Sequence, residues 1–588
     1  MRTCPLAFFL TVCLLSCSVD QMPDHSPTTR VVNTCKIDSD CRASGRQGMC
    51  GSGMCVASSG RLTQGILEIV PPASAFFGAG DSFLIPIDDI SHGRWNEDLA
   101  LPRYANVEGI LTTTPSVLGD PPSESCSQAF DTTTQSLRVH VDFSRSDASQ
   151  GLPGYTVAAN AERVEGGTGF RFAASVPSGK YDVYATVIGD CEADFPPLFA
   201  PKKTLDPGNV MMELHVGALS TLTGTVTPPV SSTGEQISLT GWTVSLVEPE
   251  QGKVISTMRK LNDSNPTNFE IRYQPLGETP PILQIVPPKD LIAPTITWDL
   301  SVLDLDGDGQ VQPSISALDL ATVQVNASVV THEVEAVAGA TVRLRSTALM
   351  GASAGLNARY ETSATTDAEG MFSLSLLPGT YQVVVTPPDR TGLSISQASW
   401  TIGRSPAVQS GRAIEVATMY AVEGTIVDPI ANRPIENISV IARPSTMSTG
   451  SYAERIFGTA PLIARAASTL TGAGGGFVLG VDPGVVDITA QPSDISRFPW
   501  LVVGRAKVPS EPLGTLTISF PIPWAGTLRD PNGNPVQQAR LRVYALLGRE
   551  ADGPADHPVL PGVLPIAETR TDKHGAFTLL LPSEVEGI

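Results

Sequence analysis

Residues 365–385 read TTDAEGMFSLSLLPGTYQVVV, and this stretch decides the fold. The carboxylate of Asp367 can accept a backbone N–H in a turn, and Gly370 can adopt a positive φ there. Apolar residues alternate with polar ones on both sides of a second turn, Pro378-Gly379, which places the apolar side chains on one face. These apolar residues are Phe372, Leu374, Leu376, Tyr381, Val383 and Val385. The stretch therefore predicts a β-hairpin with one buried face.

The same hairpin pattern recurs elsewhere in the sequence. The copies are GFRFAASVPSGKYDVYATV from Gly169, TGAGGGFVLGVDPGVVDITAQP from Thr471 and TRTDKHGAFTLLLP from Thr569. The first strand of each unit carries a marker residue, and these markers are Gly109, Gly224, Asn326, Gly424 and Gly526, at spacings of 115, 102, 98 and 102 residues. A period of about 100 residues is the size of one antiparallel two-sheet sandwich. We therefore predict an all-β chain of five tandem β-sandwich modules.

The period divides the chain into segments. They are a signal peptide (1–16), a lipidated tether with a Cys-rich module (17–60), an extra β segment (61–104), sandwiches at 105–215, 216–320 with an acidic loop, 321–415 and 416–518, and an incomplete fifth sandwich (519–588). The fifth unit reaches Pro582 without the Y-x-V strand, so its sheet edge would be open. Either the sequence is a fragment, or a partner strand completes the edge by β-augmentation.

Composition supports many short strands. The 588 residues include 53 Gly and 49 Pro, and charged residues make up only 17%. This balance suits strands joined by turns. A net charge of -20 argues against nucleic acid as a partner, because phosphate binding needs clustered Lys and Arg.

The N-terminus, MRTCPLAFFLTVCLLSCS, has the charged start and apolar run of a secretory signal. Leu14-Leu15-Ser16-Cys17 resembles the bacterial lipobox, which implies a lipid on Cys17 and attachment to a membrane. An ordinary signal peptide with an incidental cysteine is the alternative. The lipobox reading predicts an exported protein anchored at the outer membrane or cell surface, since Ser18 is compatible with that sorting.

Six cysteines remain besides Cys4, Cys13 and Cys17, which is an even number. Cys35, Cys41, Cys50 and Cys55 lie in a segment too small to bury a core without staples, so two disulfides are expected there. A zinc site is the alternative, although no C-x-x-C pair occurs. Cys126 and Cys191 are expected to form a third bridge in the first sandwich.

The repeated pattern resembles the carboxypeptidase regulatory-like, transthyretin-like family. The shared pattern is G-T-V…P-V-x-x-A-x-V…T-x-D-x-x-G-x-F-x-L-x-L-P-x-G-x-Y-x-V, and it covers roughly Ala105 to the end. That family implies a prealbumin-type sandwich, grouped with carbohydrate-binding-like folds. The Cys-rich segment resembles the short heads of secreted delta-proteobacterial proteins.

Two enzyme-like patterns are weak. Residues 351–355, GASAG, match G-x-S-x-G, but a nucleophile elbow needs a strand, a sharp turn and a helix. His332 and Glu335 match the H-x-x-E of zinc carboxypeptidases without further ligands nearby. We therefore expect no enzyme, and a surface role for His332.

One segment could bind calcium. In LDLDGDGQVQ from Leu303, carboxylates of Asp304, Asp306 and Asp308 alternate with glycines, and Gln310 follows. This resembles the front half of an EF-hand or dockerin loop, which uses oxygen ligands for Ca²⁺. A solvated acidic turn between modules is the alternative.

Tryptophan spacing bears on glycan binding. Trp298, Trp400 and Trp500 recur at 102 and 100 residues, the period of the fold itself, so we expect them in the cores. The sequence thus predicts a non-enzymatic surface lipoprotein whose modules form a stalk that contacts polysaccharide or envelope proteins. A dedicated carbohydrate-binding protein is the alternative.

Overall fold

In a computed structural model the chain is almost entirely β, with 39 strands and one short helix in the described residues. This confirms the predicted fold class. The structure describes residues 35–36, 41–43, 46–51, 54–57, 60, 62, 64–74, 77–78, 80–113, 138–146, 152, 154–163, 169–188, 195–216, 219–230, 235–262, 267–275, 279–303, 309–352, 356–445, 463–493, 496–509, 511–546 and 563–585.

The first six strands lie before the first repeat. They are β1 (Arg42–Ala43), β2 (Arg46–Gly51), β3 (Met54–Ala57), β4 (Gly65–Val70), β5 (Phe83–Ile87) and β6 (Arg94–Ala100). The first three form a small sheet of their own, which we call the head. The other three, called the N-terminal strands, do not pair with the head or with the strands of the next described segment, residues 104–216. Their partners lie at the other end of the sequence.

Module 1 is a seven-stranded sheet in the order β12-β11-β8-β9-β10-β7-β13. Its strands are β7 (Tyr104–Thr113), β8 (Arg138–Arg145), β9 (Thr156–Arg163), β10 (Gly169–Pro177), β11 (Gly179–Ile188), β12 (Leu198–Leu205) and β13 (Gly208–Val216). The hairpin predicted from Gly169 is wrong in its pairing. Both strands form, but β10 pairs with β7 and β9, whereas β11 pairs with β8 and β12. The short β9–β10 pairing joins two sheets that stay separate in the later modules.

Module 2 has one sheet in the order β17-β14-β20 and a second in the order β16-β15-β18-β19, which β23 of the next module extends. Its elements are β14 (Ser220–Thr225), β15 (Thr243–Val247), β16 (Arg259–Lys260), β17 (Asn268–Tyr273), β18 (Ile282–Val286), β19 (Thr295–Asp299), α1 (Leu300–Leu303) and β20 (Gln310–Val311). Strand β23 (Asn357–Arg359) pairs antiparallel with β19. Modules 2 and 3 consequently share a sheet.

Modules 3 and 4 repeat one topology. Module 3 comprises β21 (Val323–Thr331), β22 (Thr341–Leu349), β23, β24 (Glu361–Thr365), β25 (Met371–Leu376), β26 (Gly379–Thr386), β27 (Ser396–Ile402) and β28 (Val408–Val416). Module 4 comprises β29 (Tyr420–Val427), β30 (Ser439–Pro444), β31 (Ala467–Leu470), β32 (Gly476–Val481), β33 (Gly484–Gln491), β34 (Leu501–Val508) and β35 (Gly514–Thr517). Sheets β25-β21-β28 and β24-β22-β26-β27 in module 3 correspond to β32-β29-β35 and β31-β30-β33-β34 in module 4.

The last four strands, called the C-terminal strands, are β36 (Pro521–Arg529), β37 (Arg540–Leu546), β38 (Val563–Arg570) and β39 (Ala576–Pro582). They form the sheets β39-β36-β6 and β38-β37-β4-β5. Compared with module 3, β6 occupies the place of β28, β4 that of β26 and β5 that of β27. The segments predicted at 61–104 and 519–588 therefore build one sandwich, which we call the shared module.

A contact that recurs across the first sheet of several modules explains the marker glycines. Gly109 lies opposite Phe172, and Gly424 lies opposite Phe477. A Cβ on Gly109 would sit 1.9 Å from Cζ of that ring, so the ring needs the missing side chain. In module 3 the residue opposite Phe372 is Ala327, so the alignment that used Asn326 was off by one.

A buried threonine fixes the turn before each F-x-L strand. Thr366 Oγ1 accepts the N–H of Ala340 at 2.8 Å and donates to Val337 O at 2.6 Å. Thr471 and Thr571 make the same pair of bonds in module 4 and the shared module. The threonine directly before the aspartate of this turn, Thr366 before Asp367, thus ties the turn to the sandwich interior, and it occupies the variable position of T-x-D-x-x-G.

Two of the three periodic tryptophans lie in cores, as predicted. Trp298 and Trp400 are buried, opposite Leu283 and Tyr381 on neighbouring strands. Trp500 differs, because the position that corresponds to Trp400 in module 4 is Ala506, opposite Val486. Trp500 instead packs partly buried against the shared module. Its spacing matched only because the loops differ in length.

The modules contact one another in a closed circuit, beginning at the shared module and module 1. Tyr155 Oη donates to Asp81 Oδ1 at 2.7 Å, and Tyr104 Oη donates to the same carboxylate. From module 1 to module 2, Tyr184 Oη donates to Val254 O at 2.7 Å.

The second half of the circuit returns to the shared module. Modules 2 and 3 share the β19–β23 pairing and one continuous core. Between modules 3 and 4, the buried carboxylate of Asp482 accepts the N–H of Ile395 at 2.8 Å, and Arg465, which also donates to Asp482, donates from Nη1 to Pro387 O at 2.9 Å. Val502 of module 4 inserts into the core of the shared module. The predicted row of modules is thus closed on itself.

Candidate functional site

The core of the shared module is built from both parts of the sequence. The N-terminal part contributes seven buried side chains, which are Leu67, Ile69, Phe77, Phe83, Ile87, Ile90 and Leu101. They pack with side chains of the C-terminal strands such as Trp524, Leu541 and Phe577. Fully burying a large apolar side chain contributes about 1.5–3 kcal/mol. Each half alone would expose these side chains, so the core needs both parts of the sequence.

Two strand pairings join the halves. Strand β4 pairs antiparallel with β37 from Gly65↔Ala545 to Val70↔Arg540. Strand β6 pairs parallel with β36, where Asp98 lies opposite Thr527 and accepts its hydroxyl. Together these pairings close the sheet edge that sequence analysis expected to be open.

Gly526 lies opposite Phe577, as Gly109 and Gly424 lie opposite their phenylalanines, and it also approaches a strand of the N-terminal part. A Cβ there would lie 1.9 Å from Glu97 O, so the residue permits close approach of the N-terminal β6 backbone. The register marker is therefore also part of the joint between the two parts of the sequence.

Sequence comparison within the chain could have revealed this joint. GILEIVPP at 65–72 corresponds to YQVVVTPP at 381–388, and LALPRYANVEG at 99–109 corresponds to the run from β28 into β29, IEVATMYAVEG at 414–424. The first stretch therefore carries the pattern of the strand that the fifth unit lacks. Low similarity over a short segment hid the match.

The head contains two disulfides, Cys35–Cys50 and Cys41–Cys55. Three of these sulfurs lie within 4.8 Å of one another, but all four are consumed by the disulfides rather than available as zinc thiolates. Cys41 and Cys55 are fully buried against Phe520, which immediately precedes β36. The head therefore packs where the C-terminal strands begin.

A largely buried polar network lies on the face of the sheet β38-β37-β4-β5 that points away from the core of the shared module. Tyr544 Oη donates to Glu68 Oε2 at 3.0 Å, and Arg542 Nε donates to Glu568 Oε2 at 2.7 Å. Burial raises the pKa of Tyr544 to about 12, and the nearby Glu68 charge acts in the same direction. Burial, followed by the nearby Arg542 charge, lowers the pKa of Arg443 in module 4. These hydrogen bonds join β4 to β37 and β37 to β38, and they already use the carboxylates of Glu68 and Glu568.

A cleft of about 470 Å³ opens where the head, module 4 and the shared module meet. Its lining includes Met54, Trp500, Arg497, Arg570 and Asp572. The Asp572 carboxylate accepts the backbone N–H groups of its own turn, so the fold already uses it. The volume is in the range of small-molecule sites, yet the polar groups do not converge on one point. We assign no ligand to it.

Of the residues with enzyme-like patterns, the structure describes His332 and Glu335, and these two do not face a common site. His332 and Glu335 lie in the turn after β21, and His332 Nδ1 contacts Glu415 Oε1 at 2.7 Å on the surface. This places His332 at the surface, paired with a residue other than Glu335. Ser353 lies outside the described residues.

One serine–histidine–aspartate contact escaped the sequence analysis. Ser91 Oγ lies 2.8 Å from His92 Nδ1 and donates to Asp89 Oδ1 at 2.6 Å. The same imidazole nitrogen faces Asp89 at 3.4 Å. A triad needs opposite ring nitrogens for serine and carboxylate, so this is a local turn rather than a nucleophile. Hydrogen bonds from the side chain and backbone of Ser91 lower the pKa of Asp89, as is usual for a carboxylate that accepts hydrogen bonds in a turn.

Several predicted site residues lie outside the described part of the chain. They are Cys17, Cys126, Cys191, Asp304, Asp306 and Asp308. Gln310, the remaining predicted calcium ligand, is exposed in β20 opposite Thr223 of β14. The third disulfide, the lipidation and the calcium loop therefore stay predictions. No helix among the described residues is long and apolar enough to cross a membrane.

Comparison with known proteins gives no family. No family model matches the sequence, and no curated protein matches it. The resemblance to carboxypeptidase regulatory-like modules therefore stays an expectation from motifs.

Solved structures offer distant likenesses. A streptococcal ancillary pilin is 14% identical and matches over 53% of this chain and 99% of its own, with a TM-score of 0.19. The Bacillus anthracis TIE protein is 10% identical over 66% and 68%, with a TM-score of 0.16. The minor pilin GBS52 of Streptococcus agalactiae is 11% identical over 35% and 94%, with a TM-score of 0.20. Scores this low carry no functional argument, and the fold class rests on the strands described above.

Proposed function

We propose that this protein is a non-enzymatic surface scaffold of the bacterial envelope, held on a membrane by lipid on Cys17. Its modules present sheet faces and loops to polysaccharide or to other envelope proteins. The closed circuit of five sandwiches is the observation that supports this most, because its described side chains are used in structural contacts between modules. The disulfide head next to the proposed anchor fits an oxidising, exported location.

The lipid anchor is tested by intact-mass analysis of membrane-extracted protein. The Cys17→Ala variant should lose the acyl mass and leave the membrane fraction, because acyl chains supply the membrane affinity. The Cys13→Ala variant is the matched control, since Cys13 belongs to the predicted signal peptide and its loss should not change the mature mass. An unmodified wild-type chain cleaved at another residue would contradict the anchor.

The absence of enzymatic activity is tested directly with purified protein. We expect no turnover of peptide or ester substrates. Reproducible hydrolysis that Ser353→Ala abolishes would contradict this part of the proposal, because residues 351–355 carry the G-x-S-x-G pattern.

Carbohydrate binding through a row of aromatic rings receives no support from the described residues. Trp95 and Tyr420 are the exposed aromatic side chains there, at 43% and 39% exposure. They lie on β6 and β29, in different modules. The scaffold role is therefore the better supported of the two candidate functions.

A further inference from the structure

We propose that the N-terminal strands of one copy of this protein also pair with the C-terminal strands of a second copy, which links copies head to tail. The shared module is made of two segments that residues 101–520 separate in sequence. Within the described residues, β6 pairs only with β36, and β4 pairs only with β37 and β5. The N-terminal strands thus form a docking unit that belongs to no other sheet.

The contacts that hold this unit are those of an interface between two bodies. Seven apolar side chains of the N-terminal part enter the shared core, and backbone pairing runs along both β4 and β6. Cys41 and Cys55 of the head cover Phe520 at the same joint. None of these contacts depends on both segments belonging to one chain, so a second copy fits the site equally well.

Closure within one chain makes an additional geometric demand. Head-to-tail contacts form a ring only when the rotations at every junction add up to closure, and otherwise they generate an open chain of subunits. The junction between modules 1 and 2 combines polar contacts, such as Gln251 Nε2 to Asp182 Oδ2 at 2.5 Å, with Phe199 of module 1 buried in the core of modules 2 and 3. A different rotation at any junction would separate the two halves of the shared module within one chain.

Confinement on a membrane then favours a second copy. Tethered molecules meet at a high effective concentration, which converts a weak exchange into a populated one. This step rests on the proposed lipid anchor, whereas the pairing itself does not.

The test uses two full-length chains of different mass, each with one added cysteine, expressed together. One carries Asp98→Cys and the other carries Thr527→Cys, which face each other across β6 and β36. Pairing between copies should give a disulfide-linked heterodimer on a non-reducing gel. Its fraction should rise with expression level and persist, at a lower level, when Cys17→Ala removes the anchor.

The matched control uses Thr425→Cys and Thr515→Cys, the corresponding opposed positions of module 4. Module 4 is continuous in sequence, so this pair should give no heterodimer above background. A second test pair, Val70→Cys with Arg540→Cys on β4 and β37, guards against a folding defect at the first pair. Heterodimers at both test pairs but not at the control support the proposal. Failure at both test pairs, or equal yield at the control, overturns it.

Discussion

Replacing Leu67 with Ala should destabilise strands that lie more than 450 residues away in the sequence. Leu67 is fully buried in β4 and lies opposite Val543 of β37. Truncation of a buried leucine removes apolar burial and leaves a cavity, which costs about 2–5 kcal/mol. Because β4 belongs to the shared module, that loss should fall on residues 521–582.

Hydrogen exchange measured by mass spectrometry reads this loss segment by segment. Opening of the shared module should become roughly 30-fold more frequent or greater, since each 1.4 kcal/mol is a factor of about ten. Peptides from β36 and β37 should exchange faster by that factor, while module 3 peptides stay protected.

Leu222→Ala is the matched control, because Leu222 is equally buried but lies in β14 of module 2. It should speed exchange in module 2 and leave residues 521–582 unchanged. Unchanged exchange of β37 in Leu67→Ala would refute the reasoning, because it would mean that β4 does not complete this sandwich.

Three further predictions concern single residues. Asp482→Asn removes the buried charge partner of the part-buried Arg465 and leaves only the exposed Asp389, so it should cost about 3 kcal/mol and lower the melting temperature of module 4. Burial opposes ionisation of Asp482, but the hydrogen bonds from Arg465 outweigh burial and lower the pKa of Asp482. The stabilisation by this carboxylate is therefore present above about pH 4 and is lost as the pH falls further. Thermal melts from pH 7 to 3 will measure this loss. Gly424→Val pushes a side chain against the Phe477 ring and should cost about 1–3 kcal/mol in urea unfolding, whereas an unchanged midpoint would contradict the proposed packing. Thr571→Val leaves a buried backbone N–H without an acceptor and should destabilise the shared module by about 1–3 kcal/mol, detected as faster proteolysis of residues 563–585.

Local patterns in the sequence predicted much of the fold. Alternation of apolar residues and the T-x-D-x-x-G turn predicted strands β25 and β26, because both signals act over a few neighbouring residues. The predicted hairpin between them is wrong, because β25 pairs with β21 whereas β26 pairs with β22 and β27 in the opposite sheet. The even cysteine count predicted two disulfides in the head, although spacing alone could not select the pairs Cys35–Cys50 and Cys41–Cys55.

Errors arose where loop length or long-range pairing decides the structure. Asn326 and Trp500 were placed by spacing, and insertions in the intervening loops moved the true equivalents to Ala327 and Ala506. The shared module was missed because no local signal says which distant strand fills an open sheet edge. Only the resemblance of the strand at Gly65 to the later Y-x-V strands carries that information.

The most direct test of the shared module is disulfide mapping of one full-length chain that carries both Asp98→Cys and Thr527→Cys. These residues face each other only if β6 completes the sheet of β36. We expect a peptide pair joined through the two new cysteines after digestion without reductant. Two freely alkylated thiols in the folded protein, with no joined peptide in monomer or oligomer, would contradict the account.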